Sequence, residues 1–122
     1  MPGLNRVQII GRLGKNPESR VIPSGKNVCS FTVAVDRQWK TNSGEIRKTT
    51  DWFNVEAWGR LGEICQEYLS TGRLVYIEGR LQTDRYEVEG GTRSFTKIVA
   101  SKMLMLDQKL DEKEAVLDEP VS

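Results

Sequence analysis

The sequence predicts an all-β fold, a five-stranded Greek-key barrel with one helix between its third and fourth strands. Three observations carry that expectation. Five segments combine β-branched or aromatic residues with the period-two alternation of strands. One segment between the third and fourth changes to the 3.6-residue period of a helix. Glycine- and asparagine-rich clusters separate the segments. The 122 residues fit one domain, placed at residues 1–106, followed by a short acidic tail at 107–122.

The first strand is Val7 to Leu13 (VQIIGRL), where Gly11 marks a bulge or a close backbone approach. Pro17 to Asn27 holds the turn cluster Pro23-Ser24-Gly25-Lys26-Asn27. The second strand, Val28 to Val35, sets Phe31, Val33 and Val35 against the smaller Ser30, Thr32 and Ala34. Lys40 to Thr50 is polar and reads as a long hairpin loop centred on Thr41-Asn42-Ser43-Gly44. The third strand, Asp51 to Trp58, alternates cleanly: Phe53, Val55 and Ala57 on one face, Trp52, Asn54, Glu56 and Trp58 on the other.

Leu61, Ile64, Cys65, Tyr68 and Leu69 then form one apolar helical stripe, with Gly72 as the expected stop. A fourth strand runs from Leu74 to Leu81, a turn falls at Glu89-Gly90-Gly91-Thr92, and a fifth strand covers about Arg93 to Met105. Three strands, a helix and two strands is the element order of the OB-fold, which binds oligonucleotides and oligosaccharides on one face. Fold order alone does not assign a function.

Charge is unevenly spread. The tail holds six acidic against two basic side chains, while residues 1–106 hold 16 basic and 11 acidic ones. A basic body suits a polyanion. The tail has no aromatic residue, and its composition predicts disorder, with a short helix through Leu110 to Leu117 as the alternative. Cys29 and Cys65 fit no metal spacing and read as buried thiols of a reducing cytoplasm. No apolar run reaches the length of a membrane span, and neither an export nor an import signal is legible. The chain has no histidine, its carboxylates are scattered, and no catalytic set, metal site or cofactor is expected.

The third strand carries the functional signal. Its core face is already apolar, so Trp52 and Trp58 stand on the polar face; cover by the helix or by a partner subunit is the competing explanation. Unpaired bases stack on aromatic side chains whatever their identity. Trp39 closes the second strand and Tyr86 lies in the second hairpin beside Arg85 and Arg93. Lys40, Arg47 and Lys48 follow Trp39, although they read equally well as a solvated loop. Aromatic and basic residues interleaved on two loops and the strand between them suit a groove for single-stranded nucleic acid. Trp39 shares parity with Phe31, Val33 and Val35, so its outward placement requires a bulge or twist past Asp36.

Several ordered motifs carry a family resemblance: Asn5-Arg6-Val7, Gly11-Arg12-Leu13-Gly14, Phe31-Thr32-Val33-Ala34, Thr50-Asp51-Trp52, Trp58-Gly59-Arg60-Leu61, and Val75-Tyr76-Ile77-Glu78-Gly79-Arg80-Leu81. Over about residues 3–106 the chain resembles the bacterial single-stranded DNA-binding protein family. The resemblance implies a cofactor-free homotetramer that coats single-stranded DNA without sequence preference, in replication, recombination and repair, within the cytoplasm and its nucleoid. It implies Trp39, Trp52, Trp58 and Tyr86 as stacking residues. Arg6, Arg12, Lys48, Arg60, Arg80 and Arg85 are the basic candidates. Oligomer contacts are expected on the first strand, at Val7 and Ile9, and around Tyr76. The family also ends in a long linker and an acidic tip closed by proline and phenylalanine, which recruits replication and repair enzymes. This sequence ends Glu119-Pro120-Val121-Ser122, so that tip is not evident; a shortened chain, an auxiliary paralogue and a differently recruiting lineage all fit. A reading from another class is a primosomal-type OB module, whose aromatic face docks a protein.

Overall fold

The computed structural model describes residues 2–107. The expectations of disorder or a short helix beyond Asp107 lie outside the described residues. Six strands and one helix follow in order: β1 (Val7–Leu13), β2 (Glu18–Val21), β3 (Asn27–Lys40), β4 (Ile46–Trp58), α1 (Gly59–Tyr68), β5 (Leu74–Val88) and β6 (Gly91–Met105). The sheet order is β1-β5-β6-β4-β3-β2, and β1 also pairs with β3. Five strands therefore close a barrel, with β2 as a short hairpin strand on the outside of β3. All pairings are antiparallel except β4 with β6.

The structure corrects the strand reading in two places. The segment after Pro17 contains strand β2, because Glu18 to Val21 pairs with Ser30 back to Asn27. The two long loops are β-ribbons. β3 and β4 stay paired out to Lys40 and Ile46, leaving only 41–45 as a turn. β5 and β6 stay paired to Val88 and Gly91 around Glu89-Gly90. Polar composition marked these stretches as exposed, and a two-stranded ribbon beyond the barrel exposes both faces.

Closure depends on two missing side chains. β1 passes from β5 to β3 near Gly11, where a Cβ would lie 2.3 Å from the Ala34 carbonyl oxygen. The β5–β6 register shifts between Glu78 and Gly79, with Ser101 as the extra residue of a bulge in β6, and a Cβ at Gly79 would lie 2.1 Å from the Val99 carbonyl oxygen. Such bulges bend a strand at a barrel corner.

Alternate residues of the strands fill the interior. Ile9, Leu13, Phe31, Val33, Val55, Val75, Ile77 and Ile98 are buried there, joined by Cys65 and Leu69 of the helical segment. Each apolar side chain taken from water contributes roughly 1.5–3 kcal/mol. Helix α1 comes close because Gly62 faces the Ala57 carbonyl oxygen. Tyr68, expected on the helix's apolar stripe, points to solvent. Gly72 has φ +89° and lies in the turn after the helix rather than directly at its end. Cys29 and Cys65 are free thiols in the core; burial pushes Cys65 up to about 12, with Cys29 adding to the shift.

Candidate nucleic-acid interface

Residues paired across neighbouring strands point to the same side of a sheet, so register decides which side chains share a surface. β4 turns Val55 and Ala57 into the core and sets Trp52, Asn54, Glu56 and Trp58 on the opposite face, where Glu56 is itself buried. Glu56 pairs with Val99, and Val99 with Arg80, which extends that outer surface onto β6 and β5. Phe95 and Lys97 continue it along β6, and Gln82, Asp84 and Tyr86 along β5. On the other flank Ser30, Thr32 and Ala34 face the same way from β3. One sheet surface thus carries Trp52, Trp58, Phe95 and Tyr86.

Trp52 is 62% exposed and Phe95 43%, enough to offer ring faces to a ligand, while Trp58 is half-buried. The indole of Trp52 rests in a space that Gly14 leaves empty. A Cβ at Gly14 would lie 2.4 Å from Trp52 Cζ3 and 2.9 Å from Thr32 Oγ1. Trp58 lines a shallow hollow of about 480 Å³ with Ile22, Lys26, Arg80 and Gln82. A second hollow of about 180 Å³ lies beside Phe95, Asn54 and Lys97.

The middle of the surface is an ion cluster. Lys97 Nζ lies 3.0 Å from Glu56 Oε1 and 2.9 Å from Asp84 Oδ2. Burial works against the Lys97 charge, but the two carboxylates outweigh it and hold its pKa above the ordinary lysine range. Hydrogen bonding to Lys97, then to Gln82, holds Asp84 below the usual carboxylate range. Two carboxylates against one ammonium leave this centre negative. It suits base edges better than phosphates, which are drawn to basic groups at the margins.

Trp39 takes a different place from the other aromatics. Pairing between β3 and β4 is unbroken from Val28 to Lys40, so no bulge turns Trp39 outward. It remains on the inward parity and is 45% exposed because the ribbon has passed the edge of the barrel. The Arg37 guanidinium sits 5.3 Å from its ring centroid and 2.7 Å from Asp51 Oδ2. Trp39 thus stands on the reverse side of the ribbon from Trp52. Lys48 is on the Trp52 side, in a hollow of about 420 Å³ with Asp36, Gln38 and Thr50.

The basic candidates divide by position. Arg80 and Lys48 reach the aromatic surface, and Arg85 lies on the reverse of the ribbon that carries Tyr86. Arg6 is 3.8 Å from Glu78, and Arg60 pairs with Glu63 at 3.3 Å on the first turn of α1. Arg12 donates to the Gly72 carbonyl at 3.0 Å and pairs with Asp107 at 3.1 Å, on the Ile10 side of β1. Phe95, Lys97 and Gly14 were not singled out from the sequence. Phe95 was findable, since it shares parity with Lys97 against the apolar Ile98 and Ala100. Nothing local to Gly14 announces the indole it accommodates.

Comparison with known proteins gives a consistent picture. Residues 4–106 match the Single-strand binding protein family. The chain is 45% identical over 109 residues to single-stranded DNA-binding protein 1 of Chlorobaculum tepidum, covering 88% of this chain and 67% of that protein. It is 43% identical over 104 residues to a single-stranded DNA-binding protein of Neisseria meningitidis, covering 84% of this chain. The chain spans only 60% of that relative's length. Among solved structures it is similar to a Plasmodium falciparum SSB in complex with single-stranded DNA. That match has a TM-score of 0.82 at 27% identity, covering 88% of this chain and 98% of the other. A single-stranded DNA binding protein from Thermus aquaticus, a deletion mutant, matches with a TM-score of 0.78 at 29% identity, over 88% and 52% of the two chains.

Proposed function

The chain belongs to the single-strand binding protein family, and we propose on that premise that it coats single-stranded DNA without reading its sequence. The observation that carries this is the single sheet surface bearing Trp52, Trp58, Phe95 and Tyr86, with Lys48 and Arg80 on the same side. Bases stack on the rings, each contributing about 1–3 kcal/mol, and the phosphates run along the basic margins. Stacking needs bases free of a complementary strand, so duplex DNA is excluded. The chain is a binding protein rather than an enzyme, as the names of its relatives indicate.

Titration of tryptophan emission with oligo-dT tests this reading. The expected result is saturable quenching that weakens steadily as salt rises and is not competed by duplex of the same length. Equal affinity for duplex and single strand would overturn it.

Finer roles rest on the same premise. The strands coated are those exposed in DNA replication, recombination and repair, within a reducing cytoplasm in which Cys29 and Cys65 stay as thiols. Assembly as a homotetramer is supported by an apolar outer patch: Ile10 pairs with Tyr76, and Tyr76 with Leu104, across three adjacent strands. Ile10 is 54% exposed, whereas Ile9 is buried and Val7 packs on the core. On β1 we therefore propose Ile10 for the contact, since the expected Ile9 and Val7 face the core.

A further inference from the structure

The hollow beside Phe95 holds more recognition chemistry than a sequence-blind groove requires. About 180 Å³ of space, the scale of one pyrimidine, is lined by Lys15, Glu18, Thr32, Asn54, Phe95 and Lys97. Phe95 supplies an apolar wall with an exposed face. Glu18 pairs across β2–β3 with Ser30, and Ser30 across β3–β4 with Glu56. Glu18 and Glu56 therefore stand on the same side of the sheet, two strand spacings or about 10 Å apart. Both side chains line the same hollow as Lys97, whose ammonium lies 3.0 Å from Glu56 Oε1.

The two ends of this span differ in character. At one end a carboxylate at Glu18 accepts hydrogen bonds and donates none. Among the described residues it has no hydrogen-bond or ion-pair partner. At the other end Lys97 has three N–H donors, of which two are directed to Glu56 and Asp84. One donor is left for a ligand. An edge that donates on one side and accepts on the other matches this arrangement.

We propose that this hollow is a base subsite that favours cytosine over thymine, with Phe95 stacking the ring, Glu18 accepting from the exocyclic amine and Lys97 donating to the ring's acceptor edge. The two pyrimidines are nearly the same size, so the discrimination lies in chemistry. Cytosine presents an amino donor at C4, which pairs with a carboxylate. Thymine presents a carbonyl there, which sets acceptor against acceptor. The inference rests on the proposed binding of single strands and adds one selective position to an otherwise tolerant surface.

The test is a tryptophan-emission titration at fixed salt with oligo-dT and with oligonucleotides of equal length in which cytosine replaces thymine. The readout is the cytosine-to-thymine affinity ratio, measured for the unchanged protein, Glu18→Gln and Phe95→Ala. The glutamine amide donates to the thymine carbonyl, so Glu18→Gln lowers the ratio by about fivefold while thymine binding is kept or improved. Phe95→Ala weakens both ligands and also lowers the ratio, since the base is no longer held against the wall. A ratio that does not change in Glu18→Gln, with tight binding preserved, overturns the subsite and leaves the proposed function standing. Failure of the unchanged protein to bind either oligonucleotide overturns both.

Discussion

Trp52 and Trp58 share a strand face but differ in burial, which separates their expected consequences. Trp52 is mostly exposed, so Trp52→Ala should weaken oligo-dT binding by about 1–3 kcal/mol and leave the urea midpoint nearly unchanged. Trp58 is half-buried before the first turn of α1, so Trp58→Ala should lower both affinity and the urea midpoint. A collapse of stability in Trp52→Ala would refute the outward assignment. Gly14 adds a related prediction. Its missing side chain accommodates the indole, so Gly14→Val should reduce affinity about tenfold with all three tryptophans present, on the scale of losing one stacked base. The quenching amplitude at saturation should fall with it; an unchanged titration would show that the ring does not depend on this seat. Strand parity made Trp52 legible in the sequence, whereas the contact with Gly14 joins β4 to the loop after β1 and has no local signature.

At the level of elements, the fold relies on where strands change partners. β5 serves β1 and β6 at its start and extends as a ribbon with β6 at its end, and the register shift at Gly79 lies between these roles. Any side chain there meets the Val99 carbonyl oxygen, so Gly79→Ala should destabilise the fold by about 1–3 kcal/mol in urea denaturation. A midpoint equal to that of the unchanged protein would show that the strand corner tolerates a Cβ. The strand segments of the barrel were legible from alternation, and the helix from its change of period. The ribbon arms were not, because two polar strands paired beyond the barrel bury no face and leave no apolar period to read. β2 was hidden for the same reason, since all four of its residues are exposed.

Over the whole molecule, ionisable groups set a pH window for stability. Hydrogen bonding to Lys97 holds Asp84 low, and the Tyr76 hydroxyl does the same for Glu78. At Asp107 burial opposes ionisation, but the Leu74 amide, Arg12 and Arg73 outweigh it and leave its pKa below the usual range. These depressed carboxylates contribute stability above their unfolded values near pH 4, and that contribution is lost as pH falls through their folded values. Lys97 is raised by its carboxylates despite burial, and Tyr76 is raised by Glu78. Their contributions are complete below about pH 10 and are lost as pH rises through the folded values. The melting temperature should therefore be flat between about pH 5 and 9 and fall on both sides. Asp84→Asn should remove part of the acid-side fall, and an identical acid limb would contradict the Lys97 cluster. Assembly belongs to this scale as well. Ile10→Asp places a charge in the outer patch formed with Tyr76 and Leu104, so if the proposed homotetramer forms through this patch the native mass should drop toward smaller species. An unchanged mass would move the interface elsewhere.

The sequence alone determined the barrel class, the helix position and the outward placement of Trp52 and Trp58. Each of these follows from side-chain periodicity within one segment, a local property of the backbone. Tertiary structure decided that Phe95 and Tyr86 share their surface, that Trp39 stands on the reverse of its ribbon, and that Lys97 lies between Glu56 and Asp84. Those facts depend on which distant strands pair and in what register. Register is set by barrel closure at Gly11 and Gly79, where backbone meets the backbone of Ala34 and Val99, far from each glycine along the chain.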